Sequence, residues 1–319
     1  MSKSARLSAA GLVGAAGAAV LTGALLLPTG GATAAPARPG SDTVASTAGA
    51  KAATQSARGQ RVTSFAPVGR ATLTPGIQAY TAGAQCTTNF VFTDAEGAVY
   101  LGYAAHCAGT GAATDTDGCT TKSLPLGTKV VFAEGGSTLA DGTRLGTGTL
   151  AYSSWATMQR IGTTDAAACA YNDLALVKVD RKDLGKVNPS VPFFGGPTAI
   201  DTDGTGAGDT VFSYGNSSLR GGVSLLSPKF GLSLGDEAGG WTHSVYTLTP
   251  GVPGDSGSGF LSNGGRAVGV LSTLALAPLP LSNGVSDLSR ALNFAQKNSG
   301  IPGLKLALGT KAFSAVGGR

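Results

Sequence analysis

The segment at residues 253–259 reads Pro-Gly-Asp-Ser-Gly-Ser-Gly and lies between two apolar, strand-like runs. Glycine accepts positive φ, so this turn has the backbone room that an exposed nucleophilic hydroxyl needs. The backbone N–H groups of Gly254 and Ser256 are placed to face a developing oxyanion. In a chain with 50 glycines the same run can be an ordinary turn. It predicts a nucleophilic serine only if a base and an orienting acid occur elsewhere.

Both partners occur. His106 lies in the run Tyr-Ala-Ala-His-Cys, and Asp173 lies in the run Tyr-Asn-Asp-Leu-Ala-Leu-Val. An imidazole titrates near neutral pH, so His106 can take the Ser256 proton and return it to a leaving amine. A buried carboxylate can hold the imidazole in one tautomer and stabilise its protonated form. Taken singly, each has a structural alternative: a histidine beside a disulfide, an aspartate that caps a turn, or a turn serine.

The three segments, in the order His, Asp, Ser, resemble the trypsin-like serine proteases of the chymotrypsin fold, specifically their secreted bacterial branch, over about residues 78–296. The resemblance implies an all-β fold of two six-stranded antiparallel β-barrels with a C-terminal helix and a boundary near residues 186–197. It implies a serine endopeptidase whose catalytic residues are His106, Asp173 and Ser256, working through an acyl-enzyme. The oxyanion hole is then formed by Gly254 and Ser256.

Short runs rich in Val, Tyr, Thr and Phe, bounded by Gly, Asp, Asn or Pro, predict strands. These runs lie at residues 76–81, 88–93, 98–102, 129–133, 147–151, 175–178, 210–214, 223–227, 244–249, 259–262 and 266–274. Asp287 is positioned to cap a helix that runs from Leu288 to about Lys297.

The resemblance also assigns a substrate pocket, lined by Pro250, Ser272, Thr273, Leu274 and Gly284. No acid lies at its base, so we expect no preference for cleavage after Arg or Lys. A neutral pocket favours an uncharged P1 side chain. His243 offers an alternative, because glutamyl endopeptidases of this superfamily contact an acidic substrate with a histidine. We favour a partly exposed strand or loop histidine, since its strand precedes the serine.

Animal relatives pair the acid before the serine with a new N-terminal amine of an Ile-Val-Gly-Gly type sequence. No such run occurs between residues 70 and 86. We therefore expect Asp255 to pair with an arginine or with backbone donors. If it had no partner, the oxyanion loop would collapse. A protease-like scaffold without catalysis, used for binding, is therefore the alternative function.

The chain has four cysteines, an even number that fits two disulfides in an exported protein. In the family that the sequence resembles, a bridge ties the strand before the histidine to the residue after it. This implies Cys86–Cys107 and leaves Cys119 to pair with Cys169. There is no Cys-x-x-Cys motif, so we expect no zinc site, no other metal and no cofactor.

The net charge of +5 is concentrated at the N-terminus: residues 1–70 hold seven Lys or Arg and one Asp, which leaves the remainder at −1. A basic surface for nucleic acid is therefore not predicted. Protein or peptide substrates and a monomer are expected.

Residues 1–34 are typical of a secretory signal peptide. They have a positive start at Lys3 and Arg6, an apolar core over 12–27 and small residues at 32–34. Residues 35–70 are rich in Ala, Ser, Thr and Gly and predict a pro-segment, as in a zymogen, or a disordered linker. The protease domain spans 71–300, and 301–319 is a tail that is trimmed, disordered or docked as an extra strand. We expect an extracellular protein without stable membrane association after signal cleavage.

Overall fold

The computed structural model describes residues 64–112, 115–274 and 280–318. The predicted signal peptide and most of the predicted pro-segment lie outside the described residues. The described part is built mainly of antiparallel strands, as predicted. The strands are β1 (Gln78–Thr81), β2 (Ala84–Thr87), β3 (Val91–Thr93), β4 (Val99–Tyr103), β5 (Lys129–Glu134), β6 (Thr143–Ser153), β7 (Ala175–Val179), β8 (Thr210–Tyr214), β9 (Pro228–Glu237), β10 (Thr242–Thr247), β11 (Gly259–Ser262), β12 (Ala267–Leu274), β13 (Asn283–Asp287) and β14 (Lys305–Leu306).

The C-terminal half forms a closed six-stranded barrel, in the order β10-β13-β12-β11-β8-β9. In β10, Val245 and Thr247 are buried whereas Ser244 and Tyr246 are half-buried, the alternation of a strand with one buried face. The inward side chains form one small core, made of Val211, Val245, Phe260, Val268, Leu271 and Val285. Full burial of each such side chain stabilises the fold by about 1.5–3 kcal/mol.

The N-terminal half differs from the predicted six-stranded barrel. It is an eight-stranded sheet in the order β14-β3-β4-β7-β6-β5-β1-β2, and no ladder between its outer strands closes it within the described residues. The chain itself joins the two sides, because only residues 88–90 separate β2 from β3. Thr88 N–H donates to Ile77 O at 2.9 Å, and Asn89 N–H donates to Gly102 O at 2.8 Å. One bent segment therefore spans both sides of the sheet. Thr87, just before it, donates its N–H to Ser256 O at 2.8 Å, in the loop of residues 253–259 (the serine loop).

Two helices that the sequence analysis did not predict connect β6 to β7, namely α1 (Ser154–Ile161) and α2 (Ala166–Tyr171). Ser153 caps α1, and Gly162 ends it with φ of 66°, a conformation that glycine adopts at little cost. The predicted strand at 223–227 was wrong. This segment contains a 3-10 helix, Ser224–Leu226, and the strand β9 starts just after it.

The predicted C-terminal helix is confirmed as α3 (Leu288–Asn298). The Asp287 carboxylate accepts from Arg290 N–H at 2.7 Å, which satisfies one of the free donors at the helix start. Its apolar stripe, with Leu288 and Leu292, is buried against the core. None of the helices in the described ranges has the length and hydropathy that a membrane span requires.

The tail after α3 is docked as an extra strand. β14 pairs with β3 of the N-terminal sheet. Beyond β14, Gly309 N–H donates to Pro197 O at 2.8 Å, and Ser314 N–H donates to Phe194 O at 2.8 Å. These acceptors lie in the segment that joins the two halves of the fold. The tail therefore contacts one half and the connection to the other.

Candidate active site

His106 and Asp173 meet at the end of neighbouring strands. His106 lies in a 3-10 helix (Ala105–Ala108) directly after β4, and Asp173 lies just before β7, which pairs with β4. The Nδ1 atom of His106 is 2.7 Å from Asp173 Oδ2. The backbone N–H of His106 also donates to Asp173 Oδ1 at 2.9 Å. Because an ionised carboxylate only accepts, the Nδ1 atom carries the proton and Nε2 is free to act as a base.

Burial and charge act on this pair in opposite directions. Burial by itself lowers the pKa of His106, but the negative charge and hydrogen bond of Asp173 raise the pKa above its ordinary value. Burial raises the pKa of Asp173, but His106 and the hydroxyl of Ser272 lower it below its ordinary value. Ser272 Oγ donates to Asp173 Oδ2 at 2.6 Å. The carboxylate is therefore ionised and held from two sides.

Ser256 lies in the tight turn before β11, in the other half of the fold. It lines the same cleft as His106 and Asp173, which has a volume of about 590 Å³. Thr87 N–H donates to Ser256 O at 2.8 Å, so the turn is anchored to β2. Within the described residues no hydrogen bond joins the Ser256 hydroxyl to His106. Such bonds are often long before substrate binds.

The two predicted oxyanion donors have no acceptor among the described residues. The peptide bond before Gly254 is fixed by its carbonyl, because Pro253 O accepts from Ser217 Oγ at 2.5 Å. In a trans peptide the N–H points opposite to the C=O, so Gly254 N–H points away from Ser217. Gly254 has φ of 96° and Gly257 has φ of 89°, a region that favours glycine. Gly254 and Ser256 both line the cleft.

The sequence predicted that Asp255 pairs with an arginine or with backbone donors, but it did not identify the residues. The Asp255 carboxylate is fully buried. Oδ2 is 2.5 Å from Arg220 Nη2 and 3.0 Å from Lys229 Nζ. The N–H groups of Ser217 and Val252 each donate to it at 3.1 Å. The side chains of two cations from this half of the fold thus neutralise the acid.

Lys229 is the more unusual of the two cations, because its side chain is fully buried. Burial lowers the pKa of Lys229, and the charge of Asp255 acts against that shift. Its ammonium group also donates to Thr249 O at 3.2 Å and to Pro250 O at 3.3 Å. No pattern in the sequence indicated a buried lysine, since it occupies an inward position of a strand that was not predicted.

The cleft contains part of the predicted substrate pocket. Ser272, Thr273 and Leu274 line it, together with Gly251, Val252, Pro253, Gly254 and Ser256. Pro250 and Gly284 are not among its lining residues. Pro250 O instead accepts from Arg220 Nη2 at 3.1 Å. Asn283, the neighbour of Gly284 in the sequence, lines the cleft. Of the two acids that line the cleft, Asp173 is paired with His106 and Asp115 lies on the side of Gly111 and Thr116, whereas Ser272, Thr273 and Leu274 are uncharged.

His243 lies outside the cleft. The prediction of a strand residue was right, but its exposure was wrong, because the side chain is fully buried in β10. Nδ1 is 2.5 Å from Asp236 Oδ1, and Nε2 is 3.0 Å from Asp287 Oδ2. Burial lowers the pKa of His243, but hydrogen bonds to Asp287 and Asp236 raise it above its ordinary value. His243 is therefore an imidazolium that bridges two carboxylates.

The structure forms two disulfides, Cys86–Cys107 and Cys119–Cys169. The first fixes the segment that carries His106 to β2. Two groups of potential metal ligands within the described residues include these cysteines, one with His106 and one with Asp117. Metal binding by cysteine requires a thiolate, and all four sulfurs are bonded to each other in pairs. These groups therefore do not offer a thiolate site.

No family model and no curated protein matches the chain. Several solved structures do. Protease A of Thermobifida fusca is 16% identical, with a TM-score of 0.45, over 74% of this chain and 99% of its own. A Nocardiopsis protease is 18% identical, with a TM-score of 0.40, over 73% and 98%. A glutamic-acid-specific serine protease described as using a histidine triad in substrate binding is 18% identical, with a TM-score of 0.38, over 69% and 96%.

The chain resembles bacterial serine proteases of the chymotrypsin fold. All three TM-scores are below 0.5 and all three identities are below 20%. The function proposed for this chain therefore rests on the contacts of the site itself.

Proposed function

We propose that this chain is a secreted serine endopeptidase that hydrolyses peptide bonds through an acyl-enzyme on Ser256. The observation that carries the proposal is the cleft itself. His106, held by a buried carboxylate at 2.7 Å, lines the same cleft as Ser256 and Gly254. The backbone N–H groups of Gly254 and Ser256 have no acceptor in the part of the chain that the structure describes. A nucleophile, a base and an oxyanion site together support acyl transfer.

In the proposed reaction, His106 Nε2 accepts the proton of the Ser256 hydroxyl while Oγ bonds to the carbonyl carbon of the scissile peptide. The carbonyl oxygen becomes an anion that the N–H groups of Gly254 and Ser256 bind. Protonated His106 gives its proton to the leaving amine, and the C–N bond breaks. Water then attacks the acyl carbon while His106 accepts its proton. The ester bond to Ser256 breaks, the carboxylic acid product leaves, and His106 returns the proton to the Ser256 hydroxyl. Asp173 stabilises the imidazolium in both halves.

The substrate is a protein or peptide, and the enzyme is a monomer without a cofactor. We propose a preference for a neutral P1 side chain, because the cleft wall formed by Ser272, Thr273 and Leu274 carries no charge. A glutamyl preference through His243 is not supported, because His243 is buried between two carboxylates. The signal peptide at 1–34, the pro-segment at 35–70, the domain at 71–300 and the tail at 301–319 complete the proposed organisation.

The test is covalent labelling with a fluorophosphonate probe, followed by mapping of the labelled residue by mass spectrometry. Folded wild-type protein should carry the label on Ser256. Ser256→Ala should take none, and Ser258→Ala should be labelled as wild type, because Ser258 lies in the same turn but is buried. Absence of label on folded wild-type protein would overturn the proposal.

The second candidate is a binding scaffold without catalysis. It is favoured by one observation, the lack of a hydrogen bond between the Ser256 hydroxyl and His106 in the described residues. The labelling experiment separates the two candidates, because a scaffold stays unlabelled. Cleavage-site mapping on a peptide library would then establish the P1 preference of an active enzyme.

A further inference from the structure

Three side chains outside the catalytic triad hold the backbone of the serine loop. Two consecutive carbonyls of this loop, Pro253 O and Gly254 O, each accept a hydroxyl hydrogen bond. Ser217 Oγ donates to the first at 2.5 Å, and Thr87 Oγ1 donates to the second at 2.7 Å. Gln85 Nε2 also donates to Gly254 O at 3.1 Å. The carbonyls therefore cannot turn without losing these bonds.

The direction of these carbonyls decides whether an oxyanion hole exists. If Pro253 O turned toward the cleft, Gly254 N–H would turn away from it, because the two groups of one trans peptide point in opposite directions. The next peptide is held at both ends as well, since Asp255 N–H donates to Val252 O at 2.9 Å. The loop is thus fixed with its free donor away from Ser217.

The three side chains come from both halves of the fold. Gln85 and Thr87 lie on β2, and Ser217 begins the 3-10 helix that carries Arg220. The two segments that carry them are also connected to each other. Gln85 Oε1 accepts from Ser218 N–H at 3.0 Å, and Thr87 Oγ1 accepts from Asn216 N–H at 3.0 Å. A Cβ atom at Gly254 would collide with the Gln85 side chain.

The geometry points to Ser217 and Thr87, supported by Gln85, as positioning residues of the oxyanion hole. They act through the backbone of Pro253 and Gly254 and do not touch the reacting atoms. This inference rests on the proposed function, because an oxyanion hole matters only to an acyl-transfer enzyme. It goes beyond that function by placing the determinants of the hole on β2 and on the segment around Ser217.

The test compares hydroxyl-deleting variants with conservative ones. Ser217→Ala and Thr87→Val each remove one donor to a loop carbonyl, whereas Ser217→Thr and Thr87→Ser keep it. Ser218→Ala and Thr88→Val serve as matched controls. The Thr88 hydroxyl is buried but donates to Thr74 O at 3.0 Å, away from the serine loop.

The concentration of active sites should be titrated with a burst substrate, and kcat should be calculated per titrated site, so that misfolded protein does not lower the measured kcat. Loss of an oxyanion donor lowers kcat by about 10²–10³-fold. Since these residues position the donor without forming it, we expect Ser217→Ala and Thr87→Val to lower kcat by about tenfold or more, with KM little changed. Affinity for a peptide aldehyde, whose adduct places an oxyanion in the hole, should fall by a similar factor. The conservative variants and controls should stay near wild type.

The inference is overturned if the hydroxyl-deleting variants lose only melting temperature or titratable sites while kcat per site and aldehyde affinity stay at control values. It is equally overturned if Thr87→Ser and Ser217→Thr lose as much kcat as Thr87→Val and Ser217→Ala. Failure of the proposed function looks different, because wild-type protein would then show neither titratable sites nor labelling of Ser256.

Discussion

Removal of the cations around Asp255 should show strong non-additivity. The perturbations are Arg220→Met, Lys229→Met and the double variant. Asp255 is fully buried and accepts from Arg220, Lys229 and two backbone N–H groups. A hydrogen bond to a charged group contributes about 1.5–3 kcal/mol. Each single variant leaves one cation in place and also relieves the repulsion between Arg220 and Lys229. We therefore expect each to lower the free energy of unfolding by about 1–2 kcal/mol.

The double variant leaves a buried carboxylate with no counter-ion. Breaking a buried pair by removing the last partner costs about 3–5 kcal/mol. We expect the double variant to lose about 4–7 kcal/mol, which exceeds the combined losses of the single variants by about 2 kcal/mol or more. If the double variant does not fold, adding Asp255→Asn should restore folding, because it removes the uncompensated charge.

The assay is urea unfolding at neutral pH, with kcat measured on the variants that fold. Arg266→Met is the control. Arg266 is 3.5 Å from Asp201 but its side chain is 39% exposed, and exposed pairs contribute about 0–1 kcal/mol. Equal losses in the double variant and in the sum of the single variants would refute the reasoning, because they would mean that Asp255 does not require a cation.

The remaining predictions concern pH and the triad. The pKa of His243 is raised, so its ion pairs with Asp236 and Asp287 stabilise the fold fully below about pH 6.5. This contribution is lost as pH rises through the native pKa. The urea midpoint should fall at alkaline pH in wild type but not in His243→Asn. An equal dependence of the midpoint on pH in the two proteins would contradict this prediction. The pKa of His106 is also raised, so kcat/KM should rise with pH through a midpoint above about 6.5; a midpoint below that value would argue against the pairing with Asp173. Asp173→Asn should lower kcat by about 10⁴-fold while labelling remains detectable.

Short sequence patterns predicted much of the fold. Runs bounded by turn residues identified most strands of the closed barrel, and β8 and β11 have the predicted bounds. Asp287 marked the start of α3. The strand prediction failed at residues 223–227, where the apolar residues do not pack into the core. Leu225 is largely exposed, so the apolar character of this run does not reflect a buried strand. Ser153 and Gly162, the caps of α1, are residue types that mark helix ends, so the sequence carries a signal for this unpredicted helix.

The site was predictable only where its residues stand in short motifs. His106, Asp173 and Ser256 each lie beside distinctive neighbours, and the structure places them on one cleft. Arg220, Lys229, Ser217 and Thr87 act through contacts between segments far apart in sequence, such as Thr87 with Gly254. Nothing in the local sequence of Thr87 or Ser217 distinguishes a hydroxyl that holds a loop carbonyl from one that bonds to solvent. Tertiary placement alone gives these residues a role.

The docked tail contacts elements of both halves of the fold. His106 and Asp173 belong to the N-terminal sheet and Ser256 belongs to the closed barrel, so the spacing of the proposed catalytic groups depends on how these two halves pack. Residues 305–314 lie against both halves, through β14 on one side and, on the other, the ring of Phe313, 5.4 Å from Phe212. Residues 305–314 thus support the proposed active centre, although its residues lie earlier in the chain. Cleavage within residues 305–314 is therefore expected to disturb the alignment of the proposed catalytic groups without changing any of these residues.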